Sequence, residues 1–168
     1  MFLINWRNEM NQIFDKVRYI ELLKKDQSLA SQNSSLYQEN RIEYLELLSY
    51  GVILYDQIIY NRKQDYISLL EKYVNNEIDS FLLRLKFFQI QRDDKKIEKN
   101  LEKNFDRLSN VLIDSKSKEF SLLITDIFDA CEALKFDSEP NEAYGITELE
   151  FRAFLEKILL QMEKYSDK

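Results

Sequence analysis

Residues 42–60 read IEYLELLSYGVILYDQIIY. Leu, Ile, Val and Tyr fall on nearly every face of a helical wheel over this stretch, the pattern of a helix surrounded by its neighbours. The reading is a central core helix, and such a helix needs other helices to enclose it. The flanking sequence supplies them. Leu3, Trp6, Met10, Ile13, Val17 and Ile20 are spaced by three and four, which predicts an amphipathic helix over about residues 2–24 with that stripe in the core. Tyr66, Leu69, Leu70, Tyr73 and Val74 predict a shorter helix that stops at Asn75 and Asn76, because consecutive asparagines favour caps and turns. Ile78, Phe81, Leu82, Leu85 and Phe88 form the apolar face of the next helix. Ile97, Leu101, Phe105, Leu108 and Leu112 resume after a polar stretch, as one long bent helix or as two.

Phe120, Leu123, Ile127, Cys131 and Leu134 predict a helix over about residues 117–135. Phe151, Phe154, Leu155, Ile158, Leu159 and Met162 mark the buried face of the last helix, and Thr147 with Glu150 has the spacing of a capping box at its start. Only two glycines and one proline occur in 168 residues, leaving few of the turn residues a sheet needs. The expected fold is all-α, a single-domain helical bundle of about five to seven helices. Residues 26–40, DQSLASQNSSLYQEN, read as a polar linker. It divides the chain into an N-terminal amphipathic helix and linker, 1–40, and a helical bundle, 41–168. Gly51 is expected to let another backbone approach the central helix.

The residues that are missing restrict the chemistry. With no histidine the chain lacks the commonest general acid and base and the commonest neutral metal ligand, which argues against triad hydrolysis and ordinary zinc sites. Two glycines build neither a GxxxxGK[ST] nor a GxGxxG phosphate loop. Plentiful acids, with no nucleophile or spacing to single out a pair, give no catalytic carboxylates. Asp137, Glu139, Asn141, Tyr144 and Glu148 follow part of the calcium-loop spacing, but Glu142 stands where the turn needs glycine and Pro140 lies inside it. The single cysteine, Cys131, is in step with the apolar face of its helix and reads as a small buried group. It cannot form an internal disulfide, so the cytosol or a plastid stroma is the expected compartment. The N-terminus lacks the pattern of a signal peptide, and the longest uncharged run, Leu47 to Tyr55, is far short of the roughly 20 residues of a membrane span. Neither metal, cofactor nor membrane is expected.

Charge is unevenly spread. Lys95, Lys99, Lys103 and Arg107 form a basic row, yet Asp94, Glu98, Glu102 and Asp106 run beside it, so the pair reads as a solvated helix face and not as a nucleic-acid surface. Residues 1–118 hold 19 basic and 18 acidic groups, whereas residues 119–168 hold 5 and 12, or +1 against −7. Between 126 and 150 only Lys135 accompanies Asp126, Asp129, Glu132, Asp137, Glu139, Glu142, Glu148 and Glu150. All but Glu150, which the capping box claims, are the candidate partner-binding residues. They suit a basic protein surface.

Four segments carry a resemblance. They are Tyr66–Asp79 (YISLLEKYVNNEID), Phe81–Phe88 (FLLRLKFF), Phe120–Cys131 (FSLLITDIFDAC) and Ile146–Lys157 (ITELEFRAFLEK). Over roughly residues 63–165 the chain resembles the colicin D-like immunity proteins of bacteria, which have cyanobacterial and plastid relatives. Asp126, Asp129, Asp137, Glu139 and Glu142 fall where such proteins present an acidic helix end and loop. The resemblance implies a non-enzymatic inhibitor that covers the basic active site of a toxic tRNase domain with carboxylates standing in for tRNA phosphates. Its expected oligomeric state is monomer or homodimer. The alternative is a structural or assembly factor that lends its apolar faces to a larger complex.

Overall fold

The computed structural model describes residues 13–134 and 145–166. Among them are eight α-helices and no strand, so the fold is an all-α helical bundle. The helices are α1 (Lys16–Ala30), α2 (Leu36–Glu39), α3 (Arg41–Asn61), α4 (Lys63–Val74), α5 (Ser80–Glu102), α6 (Phe105–Ser109), α7 (Ser117–Ala133) and α8 (Glu148–Met162). A 3-10 turn, Glu163–Tyr165, follows α8. Five of the starts are set by a short polar side chain that accepts an otherwise orphaned backbone N–H: Asp15 for α1, Asn40 for α3, Asp79 for α5, Asn104 for α6 and Thr147 for α8. At the other end, α4 stops at Asn75, and Asn76 takes a left-handed φ of 61°. Asparagine tolerates that region, and the expected stop is where the sequence placed it.

The chain divides into two compact units, Met1–Tyr55 with Lys96–Asp114, and Asp56–Lys95 with Ser115–Lys168. In the first, α1 packs against α2 and α6. Phe14, Tyr19 and Tyr50 form a ring cluster with centroids 5.7–5.9 Å apart. The Tyr19 hydroxyl donates to Glu102 at 2.8 Å, and burial together with that carboxylate holds the phenol well above its usual pKa. Arg18 donates to Glu46 at 2.8 and 3.0 Å and to Glu43 at 3.2 Å, and Lys25 pairs with Glu43 as well.

Three expectations change in this unit. The helix does not run over residues 2–24: within the described residues it begins at Lys16, because Asp15 caps it, and it continues to Ala30. Its buried side chains are Tyr19, Leu22 and Leu23, while Ile13 and Val17 are 87% and 70% exposed. Leu3, Trp6 and Met10 lie outside the described residues. The run 26–40 is not all loop, since Asp26 accepts from the Leu36 N–H at 2.9 Å and holds α2 with Leu36 fully buried. Gly51 admits no close backbone. A Cβ there would meet the Tyr19 hydroxyl at 3.6 Å, an ordinary contact.

In the second unit α4 and α7 both pack against α8. The core includes Tyr66, Tyr73, Leu83, Phe87, Phe120, Ile127, Cys131, Phe151 and Leu155. The apolar face of α5 is rotated from the expected one: Leu83 and Phe87 are buried, whereas Phe81 and Leu85 are 64% and 52% exposed. Nor is the acidic row beside the lysines solvated throughout, although Asp106 and the basic row are exposed. Asp94 is fully buried, accepting from Arg62 at 2.8 Å and from the Tyr66 hydroxyl, and in the first unit Glu102 is taken by Tyr19. Arg152 donates to the Tyr73 and Val74 carbonyls at 3.1 and 3.3 Å and lies over the Tyr73 ring, 4.3 Å from its centroid. It thereby caps the C-terminal end of α4 from α8.

Candidate functional site

Helix α7 buries Phe120, Ser121, Ile124, Ile127, Ala130 and Cys131 along one stripe. The 3.6-residue period therefore turns Asp126, Asp129 and Glu132 outward, and all three are exposed. Their surroundings differ. Glu132 accepts from Arg84 at 3.3 Å, and Arg84 also lies over the Phe88 ring, which meets Phe128 at 5.6 Å. On this flank Phe81, Leu85 and Phe128 present exposed apolar surface.

On the other flank Asp126, Asp129 and Glu150 line a groove of about 440 Å³ together with Ala130, Ala133, Ile146 and Phe154. No cation pairs with Asp126 or Asp129 among the described residues. Desolvation and the adjacent charge of Asp129 raise the Asp126 carboxyl above its usual range. Both causes disfavour a lone anion. Beside the groove, at the junction of α7 and α8, the Ile146 N–H donates to the Ala133 carbonyl at 2.8 Å and Leu134 bridges to Ile146.

Glu148 is committed elsewhere, since it accepts from the Tyr73 hydroxyl at 2.7 Å and ties the first turn of α8 to α4. Burial and this carboxylate push the Tyr73 phenol well above its usual pKa. Glu150 completes the capping box, its carboxylate accepting from the Thr147 N–H at 2.8 Å while its own N–H donates to the Thr147 hydroxyl. Asp137, Glu139 and Glu142 lie outside the described residues, as does most of the calcium-like loop. Of the seven sequence-derived residues the fold thus brings Asp126 and Asp129 to one groove, sets Glu132 on the opposite flank and gives Glu148 a structural bond. The small floor residues Ala130 and Ala133 were not singled out, because alanine in a helix carries no signal of what it faces.

Cys131 is buried, and desolvation pushes its thiol up to about 12. Among the described residues, no group of three or more His, Cys, Asp or Glu side chains is placed to hold a metal ion, and no helix is long and apolar enough to cross a membrane. A second cavity of about 380 Å³ between α4 and α5 is lined by Arg62, Lys72 and Lys86 with Asp65, a mixed set in which Arg62 already serves Asp65 and Asp94. No family model, no curated protein and no solved structure matches this chain.

Proposed function

We propose that this chain is a non-enzymatic acidic helical protein that binds a basic protein surface, and that it neutralises a toxic ribonuclease domain by covering its active site. Asp126 and Asp129 carry the reading. Two carboxylates on the outer face of α7, beside an apolar groove and with no cation paired to them among the described residues, gain from a partner's Lys or Arg both a counter-charge and relief of their mutual repulsion. A ribonuclease grips RNA phosphates with the same cationic side chains, so a carboxylate ridge seated on them excludes the substrate by charge and by bulk. The resemblance to colicin D-like immunity proteins gives the concrete form, with cytosol or plastid stroma as the compartment, and two of its four segments form α7 and the start of α8.

The test is a tRNA-cleavage assay with a panel of purified colicin D-type and other tRNA-cleaving toxin domains. An excess of the wild-type chain stops cleavage by one of them, and Asp126→Lys/Asp129→Lys inhibits that domain at least about tenfold less well, since like charges set against a basic surface cost several kcal/mol. Full-rate cleavage by every domain in the presence of excess wild-type chain sinks the proposal.

The exposed apolar side chains Phe81, Leu85 and Phe128 in the second unit and Leu45 and Leu48 in the first favour a second reading, a structural or assembly factor. Its mark is a partner that both the wild type and the charge-reversed chain bind equally, at low and at high salt.

A further inference from the structure

The groove between α7 and α8 has an apolar floor and an anionic rim, and these two halves ask for one kind of occupant. The side chains of Ala130, Ala133, Ile146 and Phe154 offer nothing to hydrogen-bond, while Asp126 and Asp129 stand at the edge as acceptors beside Glu150, whose carboxylate the capping box holds. A compact cation such as a metal ion leaves the floor unused. An apolar side chain leaves the carboxylates desolvated and repelling one another. The long side chains of arginine and lysine match both, because their methylene stems cover apolar surface while the charged head stays at its rim. We infer that this groove is the socket for a single anchoring arginine or lysine side chain of the basic partner. The guanidinium is the better head, since it presents several donors in a plane to more than one carboxylate. The inference rests on the basic-partner reading above and deepens it: the ridge attracts the partner, and the groove fixes its register.

The probe is the isolated side chain. Butylguanidinium, butylammonium and the neutral butylurea are titrated at millimolar concentrations and low salt into the full-length ¹⁵N-labelled chain. Butylguanidinium gives saturable amide shifts confined to residues 126–133 and 146–154, butylammonium gives weaker ones at the same amides, and butylurea gives none. Asp126→Asn/Asp129→Asn keeps the floor and weakens the butylguanidinium response about two- to thirtyfold, the range for losing two part-exposed charge contacts. Ala133→Leu fills the floor without touching a charge and abolishes saturation. Should Ala133→Leu disturb the rest of the spectrum, the Asp-to-Asn pair decides alone.

Shifts that never saturate, that scatter over the other carboxylates or that appear equally with butylurea overturn the socket. The toxin assay is independent of this outcome. Inhibition lost on charge reversal with no butylguanidinium site leaves a binding ridge without a socket. Saturable butylguanidinium binding by a chain that inhibits no toxin domain leaves the groove and removes the immunity reading.

Discussion

Asp94 is a carboxylate with no solvent exposure in the second unit, held by Arg62 at 2.8 Å and by the Tyr66 hydroxyl. Burial lifts its carboxyl above the usual range in spite of both partners. Breaking such a pair from one side leaves the other group short of a partner, although Arg62 here keeps Asp65. Asp94→Ala is expected to cost about 3 kcal/mol in urea unfolding, at the lower end of the usual range because the Arg62 side chain keeps 25% of its surface in solvent. A loss under about 1 kcal/mol would show that the network contributes little to stability. None of this was legible in the sequence, where Asp94 reads as one acid in a surface row; its partner Arg62 is 32 residues away and periodicity carries no information about it. Cys131 was legible, being in phase with apolar neighbours. Its thiol ionises near 9.0 in the unfolded chain and near 12 in the fold, so above pH 9 the unfolded state loses the proton first and stability falls as pH rises. Between pH 8 and 10.5 wild type should lose about 1–2 kcal/mol more than Cys131→Ala in guanidinium unfolding, with the Tyr19 phenol adding a loss of the same sign to both. Parallel pH slopes for the two proteins would contradict the burial of this thiol.

The elements were most legible where a local polar signal fixed them. Thr147 and Glu150 announced the start of α8, and both halves of the box form. Thr147→Ala should destabilise the protein by about 1 kcal/mol, measurable as a lower urea midpoint, whereas Thr147→Ser should be near neutral because the hydroxyl is kept. Equal loss from the two variants would mean that the methyl group and not the cap matters. The phase of α5 was misread for a different reason. Residues 81–90, FLLRLKFFQI, are apolar on more than one side, so the sequence admits two buried faces and the packing of the unit selects the one through Leu83 and Phe87. The same holds for α1, where a continuous three-four stripe hid the cap at Asp15 that starts the helix. Caps decide where a helix begins and periodicity decides only its faces, so a stripe that spans a cap predicts one helix too long.

Across the molecule the charge gathers in one unit: 14 basic and 19 acidic groups in the second against 10 and 11 in the first, or −5 against −1. The sequence had already placed the excess after residue 118. What it left open was which acids are spent on the fold, and the answer separates Glu148 and Glu132, bonded to Tyr73 and Arg84, from Asp126 and Asp129, which no cation among the described residues pairs. That division makes a kinetic prediction for any toxin domain the chain is found to inhibit. Exposed charges at an interface act mainly before contact, on the association rate, and the Debye length of about 8 Å at physiological ionic strength means that salt weakens them readily. Raising salt from about 0.05 to about 0.5 M should therefore slow association of the wild type by about tenfold or more while leaving dissociation almost unchanged. Asp126→Lys/Asp129→Lys should associate slowly at the low salt and respond little to the increase, because the field that salt would screen is gone. Ala133→Leu keeps that field and blocks the groove, so its association rate should follow wild type while its dissociation becomes faster. If instead salt and charge reversal leave both rate constants as they are, the partner is held by apolar surface such as Phe81 and Leu85, and the carboxylates of α7 serve only to keep the helix in water.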